Sequence, residues 1–204
     1  MIYTIVVSSS LSIGIAALIG ALRYRSIHRS YYPFIYCCWL GILNECTSIF
    51  LVQKGYSNAI NSNIYVLLEF GLLTWQFYNW GFFNRRFALL TVLISAIAGI
   101  WIWENFFPYQ LNHFSSWFRV VYAFALVLMG ISILNRQIAK EKRHLLSNPI
   151  ILICLTIIIY YTYKVLVESF WLYGLNKGKI FRNNVYLILA YINLFTNLIF
   201  ALAV

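Results

Sequence analysis

"PIILICLTIIIYYTYKVLVESFWLYG", residues 149–174, decides what kind of molecule this is. The run exceeds the ~20 residues that carry a helix across a hydrocarbon core ~30 Å thick. Yet it holds Lys164 and, one helical turn later, Glu168. Working outward, comparable apolar runs cover about 2–22, 33–53, 61–82, 87–106, 115–135 and 181–203. The 204 residues are 62% hydrophobic and only 10% charged, with a mean hydropathy of +0.78. Soluble domains are nearer ~25% charged. The expected fold class is all-α, a polytopic seven-helix transmembrane bundle forming one integral-membrane domain over 1–204. A β-barrel would need short alternating segments, which are absent.

The net charge of +10 is distributed as a topology signal, which argues against nucleic-acid binding. Arg23, Arg25 and Arg29 follow the first run, Arg85 and Arg86 the third, and Arg136, Lys140, Lys142 and Arg143 the fifth. The other connections hold only Lys54, Lys177, Lys179 and Arg182. Short cytoplasmic loops are rich in Lys and Arg, so the N-terminus is expected outside and the C-terminus in the cytoplasm, across a plasma (inner) membrane. The first run lacks the basic flank and cleavage site of a secretory leader. The segment "NRQIAKEKRHLLSNP", 135–149, is expected to extend the fifth span or lie on the membrane surface, with docking of a cytoplasmic partner as the alternative. Cys37, Cys38, Cys46 and Cys154 fall inside spans, away from His28, His113 and His144, so they read as packing residues. No cofactor and no metal are expected.

An echo runs through the chain. Glu45 precedes Lys54-Gly55 by nine residues, as Glu168 precedes Lys177-Gly178. "NIYVLLEF", 63–70, is followed in the second half by "NVYLILAY", 184–191. The expectation is a parallel 3+1+3 repeat, spans 1–3 and 5–7, about an axis along the membrane normal. Coincidence in an apolar background is the alternative. In architecture alone this is similar to SWEET-type sugar transporters and microbial rhodopsins. The chain lacks their marks: no Pro-Gln pair lies in the spans, and the last span has no lysine.

With that topology, Glu45, Glu69, Arg119, Lys164 and Glu168 all fall in the outer half of the membrane. A charged side chain at mid-bilayer costs ~2.5–3.5 kcal/mol on insertion scales, so these groups are expected to face inward and pair. Lys before Glu at i, i+4 is the weaker helical orientation, so Lys164 is expected to reach Glu45 or Glu69 on another helix. Tyr65 and Tyr160 share stripes with these charges, while Gln76, Asn193 and Asn197 would continue a polar path inward. A structural ion-pair network is the competing explanation, and snorkelling the one for Arg119.

The function expected first is a small-solute transporter or solute-binding membrane protein, with Glu69 or Glu45 as the candidates for proton coupling. Its partners would be the lipid bilayer and a small polar ligand. A seven-helix receptor signalling through a separate cytoplasmic protein is the alternative. No Ser-His pair, metal cluster, acidic motif or phosphate-binding glycine loop points to an enzyme, although paired acids leave acid–base chemistry open.

Overall fold

A computed structural model describes residues 2–83, 87–107, 113–140, 148–173 and 178–204. The described residues are helical throughout, without strands: α1 (Ile2–Leu11), α2 (Ile13–Leu22), α3 (Tyr32–Gln53), α4 (Ala59–Asn79), α5 (Phe87–Phe106), α6 (Ser116–Lys140), α7 (Pro149–Leu172) and α8 (Lys179–Ala203). A short 3₁₀ turn, Arg29–Tyr31, leads into α3. α1 and α2 form one membrane-length segment, which makes seven in all.

Six of the seven are long and apolar enough to cross a bilayer. The exception is α4, which has the length but carries Asn61, Ser62, Asn63, Glu69 and Gln76. Three of these, Asn63, Glu69 and Gln76, are buried inside the bundle. The helix turns its polar groups onto other helices, as the absence of water in a bilayer demands. The chain is a helical membrane protein.

The first span runs as one membrane-length segment, and only its hydrogen-bond ladder is perturbed at Ser12, which keeps helical dihedrals and donates its hydroxyl to the Ser9 carbonyl at 2.5 Å. Asn197 of α8 donates to Ser12 Oγ at 2.9 Å and approaches the Ser9 carbonyl at 3.5 Å. A side chain inserted into the i→i−4 ladder is a usual cause of such a perturbation. α6 runs on to Lys140, past the expected end at 135. Residues 141–147 of the expected partner segment, with Lys142 and Arg143, lie outside the described residues, as do Arg85, Arg86 and Lys177.

The helices close a ring. α1 and α2 pack on α3 and α8, α3 on α4, α4 on α6, α6 on α7, and α7 on α8. α5 lies outside it against α6 and α4, with only Ile97 and Asn105 buried. The most extensive contact is α6 with α7, where Gly130 permits close approach. A Cβ there would stand 3.1 Å from Ile158 Cγ1 and 3.6 Å from the Cys154 carbonyl. Small residues at such crossings supply packing that lipid, as apolar as leucine, does not drive.

The helix ends are tied across the ring. Gln76 of α4 accepts the Phe34 N–H at 3.0 Å and donates to the Ser30 carbonyl at 2.6 Å, capping α3. Glu104 of α5 accepts the N–H groups of Trp117 and Phe118 at 3.1 and 2.8 Å, capping α6 where an acid suits the helix dipole. α4 stops at Gly81, whose φ of 74° favours glycine, and Arg136 donates to the Gly81 carbonyl at 2.8 Å and to that of Trp80. The cluster of Arg23, Arg25, Arg29, Arg136 and Lys140 marks one end of the bundle, called here the basic end.

Candidate functional site

The site is built around Glu69, midway along α4 and only 4% exposed. Tyr65, one turn earlier, donates to Glu69 Oε1 at 2.7 Å. Tyr122 of α6 donates to Oε2 at 2.8 Å. Lys164 of α7 donates to the Tyr122 hydroxyl oxygen at 2.6 Å and stands 3.5 Å from Glu69 Oε2. Its ammonium also lies over the rings of Tyr122, Tyr160 and Tyr161, at 5.2, 5.5 and 5.4 Å from their centroids. Ring faces attract a desolvated cation. Lys164 therefore reaches a carboxylate on another helix, and that carboxylate is Glu69 rather than Glu45.

Glu168 pairs elsewhere. Its Oε1 lies 3.5 Å from Arg119 Nη1. Arg119 Nη2 donates to Ser62 Oγ at 2.7 Å and contacts Asn63 Oδ1 at 3.4 Å, and the guanidinium lies 5.1 Å from the Phe114 ring centroid. At 8% exposure Arg119 points into the protein and does not snorkel. Its Nε has no partner.

Glu45 is different. Its carboxylate accepts from Asn44 Nδ2 at 3.5 Å, shares the middle-cavity wall with Ser10, and makes no ion pair among the described residues.

Three cavities follow the bundle axis. The largest, about 540 Å³, lies toward the end opposite the basic one, and Arg119, Lys164, Glu168 and Trp171 are in its wall. A middle cavity of about 90 Å³ is lined by Ser10, Cys37, Asn193, Thr196 and Asn197 among others, which gives room for several waters. Glu45, Tyr65 and Tyr160 border both of these cavities. The third, about 200 Å³, opens at the basic end beside Arg23, His28 and Pro149. Phe34 borders the middle and basic-end cavities, and its ring packs edge-to-face on Phe200 at 4.9 Å.

Glu45, Glu69, Lys164, Glu168, Arg119, Tyr65 and Tyr160 thus all line one or both of the two joined cavities. Gln76 does not join them: it is fully buried and spent on capping α3. The inward polar lining comes from α8, through Asn193, Thr196 and Asn197. Tyr122 went unseen in the sequence because it sits in an apolar helix, although its spacing three residues after Arg119 places both on one face. Also unforeseen is the knot of Asn63, Asn105 and Ser115. Asn63 Nδ2 donates to Asn105 Oδ1 at 3.0 Å and to the His113 carbonyl at 2.8 Å, and Asn105 donates to Ser115 Oγ at 2.8 Å. The pair "EN" at 104–105, polar near the end of an apolar run, was the available signal.

Among the described residues no group of three His, Cys, Asp or Glu side chains is placed to hold a metal ion. No protein-family model, no curated protein and no solved structure matches the chain.

Proposed function

We propose that this protein is a small-solute transporter rather than an enzyme, with its basic end in the cytoplasm of a plasma (inner) membrane. The observation that carries this is the file of three cavities along the axis, adjacent ones sharing wall residues. A solute entering the large cavity meets the Glu45, Tyr65 and Tyr160 constriction, and then the Phe34–Phe200 contact before the basic end. Opening that ring pair while the outer constriction closes gives alternating access. Carboxylates in the partly dry space supply a route to proton coupling.

The parallel repeat adds support. Cys37, Cys38, Gly41 and Glu45 correspond in the echo to Tyr160, Tyr161, Lys164 and Glu168, and both sets line the joined cavities. The ring order, with α5 outside, is the order a twofold axis between spans 1–3 and 5–7 would produce.

One observation favours a receptor instead: Phe34 and Phe200 close the basic side, as a sensing pocket requires. Cys37, in the middle cavity, separates the two. With Cys38, Cys46 and Cys154 replaced, a membrane-impermeant thiol reagent is applied to vesicles of each sidedness. A transporter exposes Cys37 to both faces. Labelling from the outer face alone removes the transport proposal in favour of the receptor.

A further inference from the structure

We infer that the solute is a small organic monocation and that the Glu45 carboxylate is its counter-ion. This rests on the transport proposal for the site and names what the site takes.

The charge inventory comes first. Glu69 is matched by Lys164 and Glu168 by Arg119, at 3.5 Å each. That leaves Glu45 as the one carboxylate lining these cavities that makes no ion pair among the described residues, Lys164 in the same wall acting on it only at longer range. An unpaired carboxylate in a low-dielectric interior is costly, and a bound cation removes that cost. A proton does the same, so the two are natural alternatives at one oxygen pair.

The shape of the constriction agrees. Glu45 shares it with Tyr65 and Tyr160, and the wider cavity beyond adds Trp171 against Tyr186, with centroids 6.3 Å apart. Aromatic walls around a single carboxylate recognise an ammonium head on an apolar body. An anion finds a poorer reception. The Lys164 ammonium is engaged by Tyr122 and Glu69, and both terminal nitrogens of Arg119 have partners. The free Arg119 Nε is one donor facing competition from the Glu168 carboxylate.

Four probes of nearly one shape test this: tyramine, tyrosine, tyrosol and 4-hydroxyphenylacetate, which carry positive, zwitterionic, neutral and negative charge. Binding to the purified full-length protein in detergent is measured by calorimetry at neutral pH. Tyramine is expected to bind tightest, and Glu45→Gln to weaken it roughly tenfold or more, the scale of a lost charge-assisted contact. Glu45→Asp is expected to retain part of the affinity, which guards against a misfolded Gln variant. Tighter binding of the anion or the zwitterion, binding of none of the four, or tyramine affinity unchanged in Glu45→Gln overturns the inference. The transport proposal fails separately. Tyramine that binds through Glu45 but is not carried into proteoliposomes leaves the cation site standing and removes transport.

Discussion

The same cavities are walled by two sides that treat charge in opposite ways. On the α4, α6 and α7 side, Glu69, Lys164, Arg119 and Glu168 are held against one another and against tyrosine and serine hydroxyls. On the side of α1, α2, α3 and α8, the wall is Ser10, Gly41, Asn193, Thr196 and Asn197, and the single charge is Glu45. The echo sharpens the contrast, since Gly41 and Glu45 stand where the other half has Lys164 and Glu168. One side holds the cations that complete its ion pairs, and the other lacks them. On the proposed reading, paired charge builds the frame of the site, and unpaired charge is what remains for a ligand.

The largest effect is expected from breaking the frame. Lys164→Met leaves the buried Glu69 with only hydroxyl partners. Removing one member of a buried pair costs about 3–5 kcal/mol, so the apparent melting temperature in detergent should fall steeply. Adding Glu69→Gln should restore much of the loss, because neither partner is then orphaned. If Lys164→Met melts with the wild type, the paired side is no frame and the contrast collapses. Next comes Asn63→Ala, which strips partners from Asn105, the His113 carbonyl and the Ser115 N–H, together with a contact to Arg119. Unsatisfied buried groups cost about 1–3 kcal/mol, so melting should drop by less than for Lys164→Met, with hydrogen exchange rising around 113–119. A change confined to ligand binding would move Asn63 from frame to site. Smaller again, Glu104→Ala removes the cap of α6, worth about 1 kcal/mol, and should raise amide exchange at Trp117 and Phe118.

Much of this was legible from residues, for stated reasons. Long apolar runs dictate helices, and charge inside them dictates an interior, because lipid tolerates neither unpaired backbone nor exposed charge. The weak helical orientation of Lys164 and Glu168 correctly pointed to a partner on another helix. Which carboxylate it met was not legible, since Glu45 and Glu69 sit at similar heights in their helices and only the ring order, α4 on α6 and α6 on α7, brings Glu69 within reach of Lys164. The perturbed ladder at Ser12 was hidden because serine is compatible with a helix; its hydrogen bond comes from Asn197, distant in sequence. Gln76 misled for a related reason. A buried amide looks like part of a polar path until the N-terminus of α3, with its unmet N–H groups, is found beside it.

The smallest effect on stability should come from the residue with the largest effect on binding. Glu45→Gln orphans no ion-pair partner, and glutamine can still accept from Asn44. Its apparent melting temperature in the absence of ligand should stay close to that of the wild type, within about 0.5 kcal/mol, as for substitutions away from packed or paired features. A modest rise is consistent with removing an uncompensated charge from the cavity wall. The pairing of this result with Lys164→Met contrasts the two sides, because both residues line the large cavity and only Lys164 has an ion-pair partner. If Glu45→Gln destabilises as strongly as Lys164→Met, Glu45 belongs to the ion-pair frame. The cavity would then have no spare charge, and a cationic ligand would have no counter-ion to meet.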